Sequence, residues 1–168
     1  MNSHFFKLIL LICPLLGTAC TATNAVTNNC DDVIAYFDQF SKEYARENLK
    51  VETLPEVVSD ATEGSEGTLY RDNDKNIRLF ELVHYGETGK QLVSYTIRDE
   101  QNYRVNISRL VYEKPINTAD SPVIKDRLEK RIDTCDGVQV DVYTDRPESD
   151  ELRTYPLNEM LQLLPNVN

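Results

Sequence analysis

"LVHYGETGKQLVSY", residues 82–95, decides how this chain is read. Its Gly-Lys pair, Gly89-Lys90, raises the possibility of a loop that wraps phosphate. Such a loop needs a glycine five residues ahead of the Gly-Lys pair, a Ser or Thr directly after it, and a helix opening behind it. Here His84 and Gln91 occupy those two positions. The following "QLVSYTI" alternates apolar and polar residues with period two and is rich in β-branched and aromatic side chains, as strands are. The preceding "NIRLFELVHY" has the same character. The stretch is therefore expected to be a β-hairpin turning at Glu87-Thr88, with glycines supplying positive φ angles at the turn. Tyr85 then opposes Lys90 and Phe80 opposes Tyr95. One face carries Phe80, Leu82, Val93, Tyr95 and Ile97; the other carries Ile77, Leu79, Val83 and Leu92, interrupted by Glu81 and Ser94.

Other elements follow outward from the hairpin. "YRVNISRLVYEK" reads as a third long strand, entered by a turn at Asp99–Asn102. "VIKDRLEKRIDTC" fits helix and strand equally. The Asp136-Gly137 pair and "VQVDVY" behind it decide for a hairpin, with a strand over 127–135. "GTLYR" is a short strand, and "SDATEGSEG", 59–67, a polar linker. Upstream, Val33, Ile34, Phe37, Phe40 and Tyr44 form one apolar stripe at helical spacing, which predicts a helix over 31–48. "YPLNEMLQLLP" predicts a short helix between Pro156 and Pro165. The fold class expected is α+β: an N-terminal helix packed on a curved antiparallel sheet of about six strands, with a short C-terminal helix. The Phe80 face is expected to meet the helix stripe, and a small closed barrel is the runner-up.

The start of the chain is different in kind. "MNSHFFKLILLICPLLGTAC" has one charged residue, Lys7, then a short apolar run and the small residues Gly17, Thr18 and Ala19. It resembles a bacterial secretory signal peptide, and "LGTAC" resembles the box at which lipoproteins are cleaved and lipidated, with Gly17 where that box commonly has Leu. The resemblance covers residues 1–20. It implies an extracytoplasmic protein, periplasmic, outer-membrane-anchored or secreted, whose one membrane attachment is a lipid on Cys20. Simple cleavage after Ala19, Ala22 or Ala25 is the rival reading. The organisation expected is a signal at 1–19, a tether at 20–29 and one α+β domain at 30–168. An oxidising compartment makes Cys30–Cys135 the expected disulfide.

Composition narrows the chemistry. The chain holds 28 acidic and 18 basic residues, a formal charge of −10. Without Lys7 the balance is 17 against 28, or −11. Such a surface repels nucleic acid and attracts basic proteins. Beyond the leader there is one histidine, His84, and no nucleophile elbow, zinc ligand set or phosphate loop. "DNDKN", 72–76, matches the start of a calcium loop but has Ile77 and Val83 where glycine and glutamate are needed, and so reads as a polar turn. No catalytic residue, metal or cofactor is expected. The densest acidic cluster, Asp145, Glu148, Asp150 and Glu151, together with Tyr143 and Tyr85, is the expected contact for a basic partner. Nine tyrosines and no tryptophan suit both sheet positions and binding surfaces. The function expected is a non-enzymatic binding protein of the inhibitor or immunity type that masks a basic partner. The alternatives are a small-ligand carrier using the concave sheet face and an exported hydrolase with carboxylates or a dispersed triad.

Overall fold

The computed structural model describes residues 23–43, 48–55, 63–116 and 122–164. Helix α1 spans Thr23–Glu43. Seven strands follow: β1 Lys50–Pro55, β2 Ser65–Arg71, β3 Ile77–Gly86, β4 Gly89–Ile97, β5 Tyr103–Tyr112, β6 Ile124–Cys135 and β7 Val138–Thr144. A 3₁₀ turn, Pro147–Glu151, and helix α2, Leu157–Leu163, close the described chain. Strands lie in the order in which they occur, β1 to β7, each antiparallel to the last. Four of the six connections are turns of two to five residues, which leave those strand pairs few other options. The sheet is open, with β1 and β7 as its edges, so the barrel alternative is overturned.

The hairpin has the expected register: Tyr85 opposes Lys90 and Phe80 opposes Tyr95. The role of its glycines is different. Neither Gly86 nor Gly89 has positive φ. Gly89 is required because a Cβ there would lie 2.2 Å from the Leu110 carbonyl oxygen of β5. Positive φ falls instead at Asp136 (50°) and Gly137 (76°), the pair of angles a type I′ hairpin turn requires. The turn at 72–76 holds its own carboxylate: Asp72 accepts from the Asp74 and Asn76 amides and from Arg78 Nε at 2.7 Å.

Two expectations are corrected in count and position. The described residues form seven strands rather than about six, because "KVETLP" is an edge strand whose apolar signal is weak and which ends on a proline. The helix starts at Thr23 rather than at 31 and is described to Glu43; of the predicted 31–48, residues 44–47, with Tyr44 of the stripe, lie outside the described residues. Its first turns, "TNAVTNN", carry no apolar stripe, so periodicity cannot detect them.

The larger correction concerns which face the helix covers. Phe80, Leu82, Val93, Tyr95 and Ile97 are buried, with Val105 and Ile107 of β5, against Leu152, Leu157, Met160 and Leu164. This face, A, is therefore roofed by the C-terminal segment. The Tyr95 hydroxyl pins that roof: it donates to the Tyr155 carbonyl (2.8 Å) and accepts from the Thr154 hydroxyl (2.5 Å). Helix α1 lies on the opposite face, B, where Cys30, Val33 and Phe37 surround Cys135 and Phe40 packs with Leu49, Tyr70 and Leu79. Arg104 fixes this choice. It projects to face B between Tyr103 and Val105 and is 7% exposed. Its Nε and Nη2 donate to both oxygens of the buried Asp133 (2.6 and 2.9 Å), and its Nη1 donates to Asp38 on the helix (2.6 Å). The guanidinium also sits 5.3 Å from the Phe37 ring centre. Burial on its own would lower its pKa, but the bonds to Asp133 and Asp38 outweigh it and raise the group above its ordinary value.

Opposite faces make separable cores. Phe37→Ala and Phe80→Ala should each cost about 3–5 kcal/mol. Denaturant unfolding of the double variant should show the losses adding to within about 0.5 kcal/mol. Strong coupling would mean that the two rings share one core.

Burial outweighs the hydrogen bonds with Thr154 and Tyr155, which act to lower it, and pushes the Tyr95 phenol up to about 12. A folded value above the unfolded one, about 10, gives stability that is fully present below the unfolded value and lost as pH rises through the folded one. Tyr95→Phe should cost about 1–2 kcal/mol at neutral pH. The stability gap between the variant and the parent should then narrow between about pH 10 and 12, read by urea midpoints. A gap independent of pH would place the phenol in solvent.

Candidate functional site

Face B is only half covered. Its lowest row, Tyr70, Leu79, Thr96, Arg104, Asp133 and Asp141, begins under α1. The next row, Glu81, Ser94, Asn106, Arg131 and Tyr143, and the one beyond it, Val83, Leu92, Ser108 and Glu129, line an open groove of about 510 Å³. The floor is mixed: two aliphatic side chains, hydroxyls and an amide, with charges of both signs. Most of those charges are engaged. Tyr70 donates to Glu81 (2.9 Å), and Arg127 meets Glu129 (2.7 Å). Arg131 Nη2 bonds Asp141 (2.7 Å), and its guanidinium lies 5.7 Å from the Tyr143 ring centre. Arg131 Nε, 3.7 Å from Asp133, makes no hydrogen bond among the described residues.

The acidic cluster stands elsewhere. After β7 the chain turns through Pro147–Glu151 and reaches face A at Leu152. Asp145 and Asp150 are anchored within it. Asp145 accepts from the Ser149 hydroxyl and from the Glu129 amide (3.0 Å), with Arg146 beside it. Those contacts, the Ser149 bond foremost, hold its carboxyl below the usual carboxylate range. Lys130 Nζ donates to the Asp150 carbonyl (2.9 Å) and approaches its carboxylate (3.3 Å). Glu148 and Glu151 are exposed, and no ion pair engages them among the described residues.

The six expected contact residues thus divide. Asp145, Glu148, Asp150 and Glu151 flank β7, and Tyr143 is on it, half exposed. Tyr85 is on face B but on β3, four strands or about 19 Å away. It donates to Glu66 (3.2 Å), and burial followed by that bond raises its pKa. The structure separates it from the acidic cluster. Cys20 and the signal segment lie outside the described residues. Cys30 and Cys135 are bonded, with Cα atoms 5.7 Å apart. No group of three His, Cys, Asp or Glu among the described residues is placed to hold a metal, and no described helix is long and apolar enough to cross a membrane.

The apolar character of the free edge was not apparent beforehand. On β7, Val138 is 63% exposed, Val140 40%, Val142 48% and Tyr143 50%. "VQVDVY" reads as an ordinary half-buried strand, and only its last place in the sheet leaves these side chains without cover. Comparisons with protein-family models, curated proteins and solved structures find no match to this chain.

The disulfide closes a sequence separation of 105 residues, for which chain entropy predicts about 4–5 kcal/mol. Alkylation of the folded protein without reductant should leave both cysteines unlabelled, and reduction should lower the denaturation midpoint accordingly. Labelling of both before reduction would show that the bond is absent.

Proposed function

We propose that this is an exported, lipid-anchored protein that works by binding rather than catalysis, and that its partner is a basic protein. The observation that carries the reading is the β7 side of the sheet. Exposed Val138, Val140, Val142 and Tyr143 stand beside exposed Glu148, Asp150 and Glu151. An apolar centre with a charged rim is the pattern of a protein interface, and tyrosine is enriched there. A surplus of acid of this size speeds encounter with a basic partner and makes it salt-dependent. Masking of a basic enzyme is the plainest use. Export rests on the signal-like residues 1–20, with Cys20 as the lipid site, and is supported by the Cys30–Cys135 bond, which belongs to an oxidising compartment.

The groove on face B favours a second reading, a small-ligand carrier. Its volume, about 510 Å³, lies within the range of ligand sites. Against it, such sites are mostly apolar, and this floor is largely polar.

Capture from envelope and medium by the tagged mature protein separates the two readings. The basic-partner reading expects a basic protein retained at low salt, released at about 0.5 M salt, and reduced at least about tenfold by Val142→Lys. A small molecule that co-purifies, with no basic protein captured, would replace it with the carrier.

A further inference from the structure

We propose that the partner docks by adding an extended basic segment alongside β7, as one more strand of the sheet. The inference rests on the basic-partner reading and specifies how that partner is held. β7 pairs with β6 on one side only, and no described element pairs with the other. An edge strand presents a row of backbone N–H and C=O groups that can take another chain.

The two edges of the sheet differ in how far they discourage this. β1 has six residues, carries Lys50 and Glu52, and ends on Pro55. Lysine and proline are among the usual means of blunting an edge. β7 has seven residues with no lysine and no proline, and its apolar side chains are exposed. Its one irregularity is the register shift at which Val140 is passed over, between Gln139 opposite Thr134 and Asp141 opposite Asp133. Beyond that bulge, Asp141–Thr144 pairs regularly, and the acidic 3₁₀ turn begins shortly after it.

Charge selects the occupant. A second copy would bring two acidic molecules edge to edge, each carrying −11 without Lys7, with the exposed Glu148 and Glu151 of each beside the pairing edge. Like charges brought face to face are destabilising, so self-pairing is disfavoured. An incoming strand in which Lys or Arg alternates with apolar residues meets the opposite situation. Period two places its apolar side chains beside Val142 or Tyr143 on one face and its cations on the other.

The test uses the mature protein and three probe peptides: acetyl-Lys-Val-Lys-Val-Lys-Val-amide, its Glu-for-Lys counterpart, and the lysine peptide with alternate backbone nitrogens methylated. Amide hydrogen exchange is followed by residue. The lysine peptide should slow exchange within Val138–Thr144 by at least about tenfold, reversibly with salt, and the other two should not. Equal protection by the methylated peptide, or protection on the face B groove instead, would replace strand addition with side-chain docking and leave the basic partner standing. Protection by the glutamate peptide would overturn the charge argument. Concentration-dependent protection of β7 without peptide would assign the edge to a second copy. Absence of protection by any peptide would overturn strand addition, whatever the capture experiment returns.

Discussion

The contact between helix and sheet depends on one guanidinium. Arg104 is surrounded by Asp133, Asp38 and the Phe37 ring, so the β5–β6 pair and the helix share a single charged centre. A buried cation has to be paired, and removal of a partner is costly because the charge left behind has no water. Cys135 lies two residues beyond Asp133 and is bonded to Cys30 on the helix. Charge and covalent bond therefore act at one end of face B. The helix is held there, and among the described residues the rest of the face lines the groove.

That placement leaves face A to the C-terminal segment. Leu152, Leu157, Met160 and Leu164 cover the more apolar face, and Tyr95 fixes them through Thr154 and Tyr155. The sheet is thus covered from both sides by elements from the two ends of the described chain. With both covers committed to its faces, no described element pairs with either edge. One edge carries Lys50 and Pro55; the other has neither lysine nor proline, and it is the one next to the acidic turn.

The acidic surplus is less available than a count suggests. Asp133 and Asp38 serve Arg104, Asp72 serves its own turn, Asp141 serves Arg131, and Asp145 and Asp150 anchor the turn behind β7. Next to β7, what is left for a partner is mainly long-range attraction and the exposed Glu148 and Glu151. Specific affinity must then come from apolar and backbone groups. The β7 edge offers such groups and the acidic turn does not.

Much of the local structure was legible in the residues. The Glu87-Thr88 hairpin and its register, the Asp136-Gly137 turn, the strand after Asn102, the short helix behind Pro156 and the Cys30–Cys135 pair all follow from period-two alternation, turn chemistry and cysteine parity, which are local or compositional signals. Of the candidate site, the acids at 145–151 and Tyr143 were legible, while the exposed valines were not. Alternation shows that Phe80 and Tyr95 share a face, yet it carries no information on whether Phe37 or Leu157 will cover it. Only the tertiary structure decided that, together with the bulge at Val140 and the pairing of Asp145 and Asp150. The choice of cover depends on contacts between residues far apart in the chain, such as Arg104 with Asp38 and Tyr95 with Thr154. A local pattern can specify which side chains need burying, but the partner that buries them is chosen by the whole assembled chain.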